Sequence, residues 1–252
     1  MSVHLDYDEP VLGYHRIVAA LAADRAPAGA TIADFGCGPG QILGELAARR
    51  DDVRLVGIDG DEECLRRAAE RCPGAELARA DLGSADAIRT GLDQSGLAEG
   101  IDVIVSSHAL EHLSDPVTAM AHWAELLNPG GCLVIAVPNA LQPIMLARAL
   151  VRREKANDGH YYIWDRATFE NFCRLAGFRI MQRAVDYVPL VPVRVRRRIP
   201  GLAAFERALL GPFPQFANSH IVVLEPAQGT SAEDLGQEAA GVALGVGGQL
   251  LG

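Results

Sequence analysis

Thr31-Ile32-Ala33-Asp34-Phe35-Gly36-Cys37-Gly38-Pro39-Gly40 is the stretch on which the reading of this chain turns. A short apolar run carrying one acid, Asp34, ends in glycines at three alternate positions, and a helix-forming run from Gln41 to Arg50 follows at once. A buried parallel strand, a tight turn and a helix start, in that order, make the first βα corner of an open α/β sheet. Glycine suits a backbone that must turn sharply and let a ligand approach without a Cβ in the way. The dinucleotide fingerprint, G-x-G-x-x-G, sets its third glycine three residues beyond the second. Here the third glycine comes two residues beyond, and Gln41 holds the expected position. That spacing weighs against an NAD-dependent dehydrogenase. The acid inside the strand adds a requirement, because a buried carboxylate needs a cationic or hydrogen-bonding partner. A ligand with an ammonium group would supply one.

Beyond this corner, strand and helix signals alternate. Val53–Ile58 predicts a second strand ending on Asp59, where an acid lies beside the glycine turn and can accept both hydroxyls of a ribose. The run Asp59-Gly60-Asp61 also suits a helix start. Position favours the ribose reading for Asp59 and the cap for Asp61. A helix over Asp61–Arg71, stopped by Cys72-Pro73-Gly74, leads to a third strand over Ala75–Ala80 and then Asp81-Leu82. A helix over Ser84–Leu92 and a loop over Gln94–Gly100 precede the fourth strand, Ile101–Ser106. A helix over Val117–Leu127, a turn at Asn128-Pro129-Gly130-Gly131 and a fifth strand over Cys132–Val137 follow. Five such alternations predict an α/β fold with a doubly wound, mostly parallel sheet. Further on the pattern predicts helices over Leu141–Arg153 and Asp165–Ala176, the latter capped by Asp165 and ended by Gly177, and strands over Phe178–Val185 and His220–Glu225.

Asp34, Gly36, Gly38 and Gly40 match D-x-G-x-G-x-G, the first motif of class I S-adenosylmethionine-dependent methyltransferases, and from Thr31 to Glu225 the chain resembles that family. Ile101-Asp102-Val103-Ile104-Val105, with Leu110-Glu111-His112-Leu113-Ser114-Asp115-Pro116, is similar to the family's D-V-V…L-E-H-x-x-D-P segment, and Leu127-Asn128-Pro129-Gly130-Gly131 before an apolar strand is a second anchor. The resemblance implies a Rossmann-like methyltransferase fold of seven strands, the last antiparallel, with S-adenosyl-L-methionine as cofactor. It assigns cofactor binding to Asp34, Gly36, Cys37, Gly38, Gly40, Asp59, Asp81, Leu82, Ser106 and Ser107. Asp81 would meet the adenine amino group, and the Leu82 amide a ring nitrogen. It also divides the chain into a helical lead over 1–29, a catalytic domain over 30–225 with substrate-facing insertions near 138–164 and 187–217, and a tail over 226–252. In the lead, Val11–Ala23 reads as a helix that either packs on the sheet edge or brings Tyr7 and Tyr14 over the cofactor.

Composition sets the remaining bounds. At 252 residues, 49% hydrophobic and 22% charged, the chain can build one large α/β domain with a full core. A formal net charge of −9 argues against general nucleic-acid binding, which needs cationic surface. The five cysteines, Cys37, Cys64, Cys72, Cys132 and Cys173, form no C-x-x-C pair and are odd in number, which disfavours a disulfide framework. Met1–Pro10 is acidic and lacks a secretion-signal pattern, and no uncharged apolar run reaches the ~18 residues of a membrane span, so the expected setting is the cytoplasm. Arg194 and Arg196–Arg198 form a cationic run read either as solvated surface or as a segment that holds an anionic substrate or rests on acidic lipid heads. The Gly- and Ala-rich stretch from Pro226 reads as disordered.

For the chemistry, the resemblance implies in-line methyl transfer to a small-molecule acceptor, with oxygen preferred over nitrogen or carbon. A non-catalytic nucleoside-binding regulator is the alternative of another class. A hydroxyl acceptor calls for a base near neutral pKa, and the candidates are His160, first, and His108. The reading assigns no metal, since L-E-H is widespread in methyltransferases that use none. A competing arrangement is nevertheless visible. If the segment turns helically, His108, Glu111 and His112 share one face, and His160 closes a four-ligand cage across the cleft. This is similar to the E-x-x-E-H motif of metal-assisted ubiquinone-pathway and small-RNA 2′-O-methyltransferases, with His108 replacing the first glutamate. Imidazole in that position disfavours magnesium.

Overall fold

The computed structural model describes residues 13–94, 100–151, 159–186, 188, 198–199, 201–202, 205 and 212–227. Tyr7, the arginines at 194, 196 and 197, and the tail beyond Ala227 lie outside them.

Seven strands form one sheet in the order β3-β2-β1-β4-β5-β7-β6. β1 (Thr31–Phe35), β2 (Arg54–Asp59), β3 (Glu76–Arg79), β4 (Ile101–Ser107) and β5 (Leu127–Pro138) pair in parallel. β7 (Ser219–Pro226) runs antiparallel between β5 and β6 (Phe178–Val185). The doubly wound sheet and the reversed last strand are as expected.

Alternation along each strand divides the core into two layers. Ile32, Val103, Val105, Val134, Ala136, Ile221 and Val223 point to one face, under Val18 of α1 (Gly13–Arg25), Leu43 of α2 (Gln41–Ala47) and Ala68 of α3 (Glu62–Arg71). Ala33, Ile104, Leu133, Ile135, Val222 and Leu224 point to the other, under Ile88 of α4 (Ala85–Gln94) and Trp123 of α5 (Pro116–Ala124). A further helix, α6 (Pro143–Leu150), follows β5, and α7 (Arg166–Leu175) adds Phe169 and Cys173 to the second layer. Phe35 and Trp123, both fully buried, meet edge to face at 5.4 Å. Each such side chain contributes roughly 1.5–3 kcal/mol by leaving water.

The expected caps are in place. Asp61 accepts from Glu63 N and Cys64 N at the start of α3, and Asp165 forms a capping box with Thr168 at the start of α7. Gly177, at φ +81, ends α7. One expectation needs correcting: the strand hydrogen-bonded to β4 begins at Leu127 and includes the residues read as a turn. Leu127 pairs with Ile101 and Cys132 with Val103, so Asn128–Gly131 is a wide bulge inside β5. Asn128 Nδ2 donates to Gly100 O (3.2 Å) and Asp102 Oδ1 (2.9 Å), and Gly130 supplies the positive φ, so the strand bends without leaving the ladder.

The glycine turn joins β1 to α2 against α3. A Cβ on Gly40 would lie 2.9 Å from Ala68 Cα, and Gly40 has φ +78. Gly40→Ala is therefore expected to push α2 from α3 and to lower the Tm by about 5 °C or more, from overpacking worth ~1–3 kcal/mol added to left-handed strain. An unchanged melting curve would show that the contact yields.

Candidate active site

The carboxyl ends of β1, β2 and β4 bring the cofactor candidates to one edge. Asp34 pairs in register with Gly57 on one side and Val105 on the other, which sets Asp34, Asp59 and Ser106 around the β1–β4 crevice where the strand order reverses. Asp34 is fully enclosed, and neither of its carboxylate oxygens has a hydrogen-bond partner. Burial, reinforced by the charge of Asp59, pushes its pKa up to about 8. The Ser106 and Ser107 hydroxyls are buried and equally without partners. These three groups leave four buried polar atoms unmet at the ends of β1 and β4, which is costly until a partner meets them.

The three glycines divide their work. A Cβ on Gly36 would strike Ala109 Cβ at 2.5 Å, and one on Gly40 would strike α3, so these two serve close packing. A Cβ on Gly38 would meet nothing within 4 Å. Gly38 is the glycine that faces open space. Its amide donates to Asp59 Oδ2 (2.8 Å), while Asp59 Oδ1 accepts from Asp61 N (2.9 Å). Asp59 thus shapes the turn, and its remaining lone pairs are those the ribose reading requires.

The other cofactor candidates differ in placement. Cys37 packs inward with its thiol pKa raised well above the ordinary value, first by burial. Its place in the turn is a backbone one. Asp81 is exposed two residues beyond β3, its Oδ1 accepting from Gly83 N (2.9 Å). Leu82 is buried, and its carbonyl accepts from Trp123 Nε1 (3.2 Å).

On the acceptor side of the edge the histidines separate into two groups. His108, the one non-glycine residue with positive φ among those described (φ +55), follows β4, and its amide continues the ladder to Ala136 O (2.8 Å). Its Nε2 lies 3.0 Å from Ser219 Oγ. That hydroxyl donates to Asp186 Oδ2 (3.2 Å) and accepts from Asn218 Nδ2 (3.0 Å), so Nε2 of His108 carries a hydrogen. Asp186 has its pKa pushed up to about 6 by burial. Nδ1 of His108 faces Glu111 Oε1 at 3.5 Å. Tyr14 of α1 lays its ring 4.6 Å from His108 and 4.1 Å from the buried His15, so the leading helix does reach this edge. Burial and then His108 and Arg71 lower the pKa of His15 to about 3.

The shared helical face expected for His108, Glu111 and His112 does not form. The left-handed turn at His108 delays the helical hydrogen bonds to a short 3₁₀ turn, Leu110–His112. Glu111, His112 and His160 come together instead, with ligand atoms all within 4.8 Å of one another. His112 and His160 are edge to face at 4.5 Å. Asp186, Ser219 and the burial of Glu111 could not be read from sequence, since His108 and Ser219 lie 111 positions apart.

Residues 11–183 match the family model described as a methyltransferase domain. The chain belongs to that methyltransferase family. Curated relatives include a trans-aconitate 2-methyltransferase of Streptomyces avermitilis, 37% identical over 110 residues (43% of this chain, 39% of the relative). One from Azoarcus sp. is 31% identical over 131 residues (52% and 47%). The chain thus matches less than half the length of either relative. The CcbJ methyltransferase of Streptomyces caelestis shares the fold, with TM-score 0.57 and 16% identity over 85% of this chain and 90% of that one. The putative methyltransferase solved with the Haloferax volcanii Trm112 activator gives TM-score 0.59 and 18% identity over 86% and 91%. No helix of the described residues is long and apolar enough to cross a membrane.

Proposed function

We propose that the chain transfers a methyl group from S-adenosylmethionine to an oxygen of a small-molecule acceptor. The observation that carries the cofactor half is the buried, unpartnered carboxylate of Asp34 at the head of a turn in which, of Gly36, Gly38 and Gly40, Gly38 alone opens onto free space. These residues fit the cofactor. Asp34 would meet its ammonium group, Asp59 its ribose hydroxyls, and Gly38 would let its backbone pass. When bound, the cofactor supplies an electrophilic methyl on a sulfonium. The chain's own task is alignment and exclusion of water, which can contribute up to ~7–11 kcal/mol in favourable cases.

The preference for a small acceptor and for oxygen draws support from the relatives named for trans-aconitate and from the groups on the acceptor side. Glu111, His112 and His160 stand there beside the cofactor crevice, and the bond of His108 to Ser219 fixes that imidazole's orientation. A carboxylate acceptor needs no base, whereas a hydroxyl acceptor would give its proton up at this group.

Calorimetry with S-adenosylhomocysteine tests the reading. The wild type is expected to bind it, and Asp59→Ala to weaken binding by ~1.5–3 kcal/mol, roughly tenfold to a hundredfold, as loss of charge-assisted hydrogen bonds does. Absence of wild-type binding would overturn the proposal. Equal affinity in the variant would take Asp59 out of the site.

A further inference from the structure

Glu111 is the most isolated acid on the acceptor side. It is fully buried, and neither carboxylate oxygen has a hydrogen-bond partner. Its contact with His108 Nδ1, at 3.5 Å, is too long for a hydrogen bond and engages only Oε1. A carboxylate so placed needs a cation, as Asp34 does, but here two imidazoles accompany it. Ligand atoms of Glu111, His112 and His160 all lie within 4.8 Å of one another.

The surroundings hold that group in shape. Gly159, at φ +84, turns its carbonyl toward His112 and accepts from Nδ1 at 2.9 Å. A carbonyl only accepts, so Nδ1 carries the hydrogen and Nε2 of the neutral ring carries the lone pair. A backbone carbonyl on the far nitrogen is the support that metal-binding histidines commonly have. Tyr161 N and Tyr162 N donate to Glu111 O at 2.8 and 3.4 Å, which clamps the loop carrying His160 to the turn carrying Glu111 and His112.

We infer that Glu111, His112 and His160 bind one divalent first-row transition ion of the zinc class. Two imidazoles and one carboxylate form a donor set suited to such an ion and not to magnesium. Three protein ligands leave a coordination position open, the pattern of a catalytic site. Resting on the proposed methyl transfer, that position takes an oxygen of the acceptor. Ligand atoms held tetrahedrally on one ion at ~2.0–2.2 Å lie ~3.3–3.6 Å apart, so a pair near the 4.8 Å limit closes by about an ångström on binding. His108 stays outside, turned to Ser219. His160 is then a ligand and not the base.

The test uses full-length protein purified without an affinity tag and stripped with chelator. Cobalt(II) titration is expected to give the visible absorption of a low-coordinate bound ion, with competition by zinc at one equivalent. His160→Ala removes a ligand on a partly exposed loop and is expected to weaken zinc binding by more than the ~10–100-fold that loss of a supporting group costs. His108→Gln is expected to keep the affinity. Circular dichroism checks that each variant is folded, and Glu111→Gln adds a second ligand test that preserves shape. A wild type that binds zinc no more tightly than His160→Ala overturns the inference. S-adenosylhomocysteine calorimetry on the same samples keeps the two readings apart. Cofactor binding without metal binding ends the metal site alone, and metal binding without cofactor binding ends the methyltransferase reading.

Discussion

Gly38→Val is expected to abolish S-adenosylhomocysteine binding in a protein that still folds. A Cβ at this position meets no protein atom within 4 Å, so the branched side chain fills the space above the turn without disturbing its packing. The backbone there has φ +50, which for a valine costs ~1–2 kcal/mol, a modest loss for a domain of this size. The amide of Gly38 still donates to Asp59, so the turn keeps its tether. Calorimetry reads the binding and thermal melting the fold. Gly36→Ala provides the contrast, since its Cβ would strike Ala109 and should harm stability first. Retained affinity in Gly38→Val would place the cofactor elsewhere.

Asp34→Asn should stabilise the empty protein at alkaline pH and weaken cofactor binding by roughly tenfold to a hundredfold, the worth of ~1.5–3 kcal/mol for a charge-assisted contact. The folded pKa, about 8, lies above the unfolded value of ~3.9, so the folded chain holds the extra proton between them. The stability this contributes is complete below pH ~4 and is lost as pH rises through 8. Asparagine keeps the shape and never ionises, so the variant's Tm should lack that decline. A ligand ammonium needs the ionised form. Wild-type binding should therefore release protons below pH 8, and affinity should climb with pH before levelling off. Titrations in buffers of differing ionisation enthalpy measure the release. A wild type that binds without proton exchange at pH 7 would show that Asp34 does not meet the ammonium.

What the sequence could disclose follows from where each signal lay. The corner at Thr31–Gly40 was legible because strand, turn and helix start are written within ten adjacent residues, and Asp61 and Asp165 were legible as caps for the same reason. The bulge at Asn128–Gly131 was not, because proline and glycine mark a bend equally well inside a strand and outside one. The separate duties of Gly36, Gly38 and Gly40 depend on Ala109 and Ala68, distant in sequence. The loss of a helical face shared by His108, Glu111 and His112 was not legible either, because nothing local announces a left-handed histidine. Its partner Ser219 arrives on a strand that only the completed sheet brings near.

That strand also bears on how the molecule assembles during synthesis. Of the seven described strands β7 is the last to leave the ribosome, yet it lies inside the sheet, with β5 on one side and β6 on the other. Until it emerges, β5 presents an open hydrogen-bonding edge and β6 has no neighbour, an arrangement prone to pairing with other chains. The cofactor corner, built from β1, β2 and β4, can form earlier. The tie between His108 and Ser219 closes last, so the acceptor side of the cleft is finished only when the whole sheet is.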